Sequence, residues 1–313
     1  MMQATTKKPS SPMRRKLMHV LRSWQLYILI APATIYYAIF HFWPIYGIQI
    51  AFRNYKAKLG ISGSPWVGLA HFERFVNGPN FWKLLQNTLS ISLANLIFGF
   101  PVPILLALTI NELRGKRFKR IVQTVSYAPH FISTVVMVSI LQIFLNANTG
   151  IINKLLGLIG AGPFDFLGHG PWFSSIYVIS NIWQNMGWNS IIFLAALSGV
   201  DASQTEAAMV DGASRLQRIW YINLPAILPT IITMFILNSG KVMAVGYEKA
   251  YLMQNALNLD YSEIISTYVY KVGLINSQFS FSAAVGLFNS LCNVALLLLV
   301  NFISKKLSDT GLL

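Results

Sequence analysis

Apolar residues gather into six long runs, at 24–48, 87–110, 121–144, 173–200, 226–245 and 281–302. Stretches rich in glycine, proline, amides or charge separate them. A helix crosses a hydrocarbon core with about 20 residues, and each run reaches that length. The pattern predicts an all-α integral membrane protein with six transmembrane helices. A transmembrane barrel would instead show alternating segments of about ten residues, and none occurs. Pro101 and Pro103 fall inside the second run and Pro129 inside the third. Within a membrane such prolines kink a helix without ending it, because neighbouring elements satisfy the freed carbonyls.

Composition supports this class. Hydrophobic residues make up 54% of the 313 and charged ones only 11%, too few to clothe a soluble domain. The net charge of +14 is explained by topology. Lys7, Lys8, Arg14, Arg15, Lys16 and Arg22 stand in an acid-free tail over residues 1–23, and residues 111–120 add Arg114, Lys116, Arg117, Lys119 and Arg120. With six spans these segments, the 201–225 loop and the Lys305–Lys306 end share one side, and that side carries most of the 24 Lys and Arg. Basic residues near span ends resist translocation, so it is the cytoplasmic side and both termini lie inside. No nucleic-acid partner is needed to account for the charge. Ala31-Pro32-Ala33 loosely resembles a signal-peptide cleavage site, but the apolar run continues past it, which favours an uncleaved first span. Cys292 is the single cysteine, so no disulfide forms within the chain.

One long polar stretch stands out in the C-terminal half. Residues 206–225 read EAAMVDGASRLQRIWYINLP: Glu206-Ala207-Ala208, three residues, Gly212, nine residues, then Ile222-Asn223-Leu224-Pro225. Ser203 with Glu206 three residues on is a capping-box pattern, so a short helix is expected to start at Ser203. Gly212 suits a turn out of that helix, since it accepts positive φ. Arg215 and Arg218 are expected to reach outward from a second short helix, with Leu216, Ile219 and Trp220 toward the membrane and Pro225 and Pro229 opening the fifth span. Read physically, the stretch is either a lever for a partner or a capped interfacial helix pair.

The stretch resembles the cytoplasmic coupling loop of the membrane subunits of type I, binding-protein-dependent bacterial ABC importers. The resemblance implies a permease domain over 24–313, with its core at about 87–303 and its coupling loop at 201–225, in the bacterial plasma membrane. It also implies two ATPase subunits that bind ATP and Mg, a second related permease subunit and an extracytoplasmic binding protein. Glu206, Ala207, Ala208, Gly212 and Pro225 would carry coupling, flanked by Asp211 and Arg215. Gly246-Tyr247-Glu248-Lys249 and the run from Ile265 to Tyr270 are similar to the branch that imports oligo- and polysaccharide fragments, alginate importers among them. Another solute, such as a glycerol phosphate, is the alternative within the class; a membrane enzyme or scaffold is the alternative outside it.

The chain has no phosphate-cradling loop, since Gly115-Lys116 and Gly240-Lys241 lack its flanks, so a separate ATPase is required and no cofactor is expected in this chain. His19, His41, His71, His130 and His169 are scattered and predict no metal site. The spans carry polar stripes instead. Asn181, Asn185 and Asn189 recur every fourth residue in the fourth run, with Gln184 beside them and Trp183 and Trp188 interleaved; Asn289 and Asn293 repeat the spacing in the sixth. Residues four apart share a helix face. Amides suit sugar hydroxyls and indoles suit sugar rings, so these sets are candidate linings of a substrate path. Interhelical packing is the other reading. Lys241, expected in the outer third of the fifth span, either snorkels outward or faces the path and attracts an acidic saccharide.

Overall fold

The computed structural model describes residues 23–113 and 115–307; the basic tail, apart from Ser23, and Arg114 lie outside the described residues. Helix α1 spans Trp24–Phe52, about 44 Å of helix, and passes through a π turn at Ala38–Phe42 before tightening to 3₁₀ geometry. A short external helix, α2, follows at Ala70–Val76. Helix α3 covers Phe81–Asn111. Its π turn at Asn95–Gly99 comes directly before Pro101, where the missing N–H would otherwise break the ladder, so the helix continues through both prolines.

The third apolar run departs from expectation. It forms α4, Lys116–Phe131, and α5, Thr134–Phe144, bent by 99° rather than one kinked span. Pro129 tightens the end of α4 into a 3₁₀ turn, Ile132 and Ser133 are extended, and the Ser133 hydroxyl accepts from Val136 N to start α5 afresh. After α6, Ile151–Leu158, comes α7, Trp172–Ser198, the central helix, which packs on α3 and α4. Gly187 lets α4 cross closely, since a Cβ there would collide with the Ser126 carbonyl.

Helix α8, Ala202–Val210, leads to α9, Arg215–Ser239, which packs against α7 and the last helix. A turn then gives α10, Tyr247–Met253, α11, Ile265–Tyr270, and α12, Phe279–Leu307. Helix α9 runs unbroken through Pro225 and Pro229, so it begins earlier and ends earlier than the predicted fifth span.

Three packed clusters hold these helices. Phe75, Phe81, Leu84, Phe281 and Val285 join α2, α3 and α12 at one end; Ile104, Leu108, Phe193, Leu197 and Ile227 join α3, α7 and α9 at the other. Between them, Ile91, Val138, Tyr177 and Ile264 pack around α7. Long apolar faces of α1 and α12 stay exposed, as lipid-facing helices require. Helices α1, α3, α9 and α12 are long and apolar enough to cross a membrane, and α4 with α5 adds a fifth candidate. Helix α7 has the length but not the hydropathy, because its amides and serines dilute it. The described residues therefore form an all-helical membrane protein with four to five candidate spans.

Candidate functional site

The polar loop is built from nested caps. Asp201, not Ser203, starts α8: its carboxylate accepts from Ser203 N at 2.9 Å, and the expected Ser203–Glu206 box does not form. Those hydrogen bonds hold the Asp201 carboxyl below its usual value, so its cap is present at neutral pH and lost only as pH falls through that lowered value. At the other end Gly212 adopts φ +79°, Gly212 N donates to Met209 O, and Ala213 N donates to Ala208 O at 2.8 Å. This paired closure needs a left-handed residue, which explains the glycine. The capping box belongs instead to α9, where Ser214 N donates to Gln217 Oε1 at 2.7 Å and Ser214 Oγ accepts from Gln217 N at 3.3 Å.

Glu206, Ala207, Asp211, Gly212, Arg215 and Pro225 are exposed and Ala208 is half-buried. Arg218 contradicts expectation by turning inward. Its Nη1 donates to Ala213 O at 2.9 Å and its Nη2 to Glu112 Oε2 at 3.0 Å, while Asn223 Nδ2 donates to Glu112 Oε1 at 3.2 Å. Glu112 directly follows α3, so a buried ion pair fastens the α8–α9 corner to that helix and puts the 111–120 and 201–225 loops at one end. Leu216 and Trp220 are exposed and Ile219 is half-buried.

The span-four amides converge as a group. Asn181 Nδ2 donates to Asn95 Oδ1 at 3.1 Å, Asn185 Nδ2 donates to Asn181 Oδ1 at 3.1 Å, and Asn185 Oδ1 meets His130 Nδ1 at 3.0 Å. His130 also stacks on Trp188, with ring centroids 4.6 Å apart. Gln184 Nε2 donates to the extended Ile132 carbonyl at 2.9 Å, helping hold the α4–α5 break. A cavity of about 670 Å³ opens along this face, lined by Asn95, Asn181, Asn185, Trp188, Asn189 and Lys241 among others. Lys241 lies just beyond the end of α9, in the turn rather than in a span, and is exposed into this space.

Asn289 and Asn293 do not line the cavity. Asn289 Nδ2 donates to Met243 O at 3.2 Å and Asn293 Oδ1 accepts from Met243 N at 2.8 Å, so this pair ties α12 to the non-helical turn after α9. Trp183 is also absent from the lining. Sequence reasoning missed Asn95, whose signal is a lone amide inside an apolar run, and His130, whose signal is its place beside Pro129. It also missed Glu112, which carries no local signal. Among the described residues no group of His, Cys, Asp or Glu is arranged to hold a metal.

Residues 99–309 match the family of binding-protein-dependent transport system inner membrane components. Protein LplB of Bacillus subtilis (strain 168) is 44% identical over 287 residues, covering 92% of this chain and 90% of its own. The polygalacturonan/rhamnogalacturonan transport system permease protein YteP of the same organism is 44% identical over 299 residues, covering 96% and 93%. A crystal structure of a bacterial ABC transporter involved in the import of the acidic polysaccharide alginate contains a chain that superposes with a TM-score of 0.86 at 37% identity, covering 94% of this chain and 99% of that one. The same figures hold for that transporter in complex with an alginate pentasaccharide-bound periplasmic protein. Proteins of this family are transport subunits rather than enzymes, without cofactors of their own, and ATP is hydrolysed by a separate subunit. The chain belongs to the binding-protein-dependent transport system inner membrane components, and is a multi-pass permease subunit of an ABC importer.

Proposed function

We propose that this permease carries an acidic oligosaccharide through the amide-lined cavity, handed to it by an extracytoplasmic binding protein. The observation that carries this reading is the cavity wall itself: carboxamides for hydroxyls, the Trp188 indole for a ring face and the Lys241 ammonium for a carboxylate. Support comes from YteP, named for polygalacturonan/rhamnogalacturonan transport, and from the importer of the acidic polysaccharide alginate. The chain spans six times, with α4–α5 and α7 completing the set and both termini in the cytoplasm. Residues 201–225 dock on one of two ATPase subunits, so that Glu206, Ala207, Ala208, Asp211, Gly212, Arg215 and Pro225 transmit nucleotide-driven closure. A second, related permease subunit completes the path.

Uptake by the reconstituted transporter tests the cargo. Lys241→Ala should lower transport of an acidic oligosaccharide several-fold while sparing a neutral one of equal length. Equal loss on both, or no loss on either, removes the charge-reading role.

A further inference from the structure

A second cavity, about 360 Å³, lies against the first. The two share Asn181 and Asn185, so the hydrogen-bonded row Asn95–Asn181–Asn185–His130 stands as a bar between them. The second is lined by Ser133 and Thr134 from the α4–α5 break, by Gln184 from α7, and by Glu248 and Lys249 from α10.

Lys249 is the unusual member. Its residue is only 5% exposed, yet its ammonium donates to a single oxygen, the Tyr177 carbonyl, at a long 3.5 Å, and otherwise sits 5.0 Å from the Tyr177 ring centroid. The ion pairs among the described residues are Lys83–Asp260, Arg218–Glu112 and Lys271–Glu263, so no carboxylate meets Lys249. Glu248, its neighbour in sequence, is exposed and lines the same cavity without forming an ion pair with Lys249. A buried cation without an anion is costly to keep and is characteristic of a site completed by a ligand. Desolvation pushes the Lys249 ammonium down to about 8, so it stays charged at neutral pH.

We propose that the second cavity is a separate carbohydrate station in which Lys249 receives the carboxylate of a uronate residue, while the hydroxyls of Ser133 and Thr134 and the amides of Gln184 and Asn185 receive its hydroxyls. This rests on the acidic-oligosaccharide reading of the first cavity. It adds that the charge of the cargo is met twice, by Lys249 on one side of the amide bar and by Lys241 on the other.

The test uses the complete transporter with its ATPase and binding protein in proteoliposomes, supplied with a galacturonate trisaccharide or its neutral methyl ester. Lys249→Gln should lower the acid-to-ester uptake ratio about tenfold, and Lys249→Arg should restore most of it, as removing one partner of a desolvated charge pair predicts. An unchanged ratio, or an equal fall on both sugars, overturns the second station. If Lys241→Ala alters the ratio and Lys249→Gln does not, the first-cavity reading stands and this one falls; if the wild type carries neither sugar, both fall. Should Lys249→Gln fail to accumulate, Ser133→Asp decides. Aspartate keeps the cap of α5 and adds a fixed carboxylate to the cavity, so uptake of the acid should drop and that of the ester should not. An acid-to-ester uptake ratio in Ser133→Asp equal to that of the wild type overturns the proposal.

Discussion

Arg218 and Lys249 are both buried cations, and their surroundings differ in one respect. Arg218 has Glu112 at 3.0 Å, and Asn223 and the Ala213 carbonyl complete the cluster. Lys249 has one long bond to a carbonyl and an aromatic ring. The first arrangement ties the α8–α9 corner to α3 through an ion pair. The second is open and faces a cavity. The Arg218 charge has an anion within the chain, although its buried Nε stays unpartnered, whereas the Lys249 charge has no anion. If the proposed second station holds, the closed cluster marks a rigid corner and the open one a point of contact with the cargo.

The sharpest way to break that comparison is to open the closed cluster. Glu112→Gln leaves Arg218 buried without its anion, a change that typically costs about 3–5 kcal/mol. A large fall in the melting temperature of the purified subunit is expected, and an unchanged melt would show that the pair is not structural. Next comes Gly212. Its φ of +79° costs an L-residue about 1–2 kcal/mol, so Gly212→Val should shift the α8–α9 corner and lower transport per ATP hydrolysed while the protein remains in the membrane. Wild-type coupling in that variant would remove the corner from the transmission path.

The smallest effect concerns pH and sharpens the open site. The Lys249 ammonium is present below about 8 and is lost as pH rises through that value, so acidic uptake should fall a few-fold between about pH 7 and 9. Tyr177 lies beneath Lys249, and His130 and Glu248 line the same cavity. Lys249→Arg keeps its charge throughout and isolates the share due to Lys249: the decline should flatten in that variant. An equal decline in the variant would assign it to the neighbours.

Much of the coupling segment was legible because its signals are local. Gly212 in a left-handed turn follows from neighbouring residues alone, and the structure places it so. The cap was misread by two residues, since Asp201 and Ser203 compete for the same free N–H groups and only the path of the entering chain selects between them. Arg218 was misread more seriously. Its partner Glu112 lies 106 positions away, and no pattern near Arg218 records that. The third run was read as one span because apolar length says nothing of direction, whereas Pro129 and the extended Ile132–Ser133 pair turn the chain by 99°.

What the sequence by itself determined is the membrane class and the turn at Gly212, each a property of composition or of residues near in the chain. What only the tertiary structure decided is the fate of identical patterns. Asn181, Asn185 and Asn189 recur every fourth residue on α7, as Asn289 and Asn293 do on α12. The first set lines a cavity, while the second binds both sides of the Met243 peptide. Spacing sets which face of a helix an amide occupies; what it does depends on what stands opposite. Opposite α7 is open space beside Asn95 and Lys241, and opposite α12 is a non-helical turn whose N–H and C=O must be satisfied.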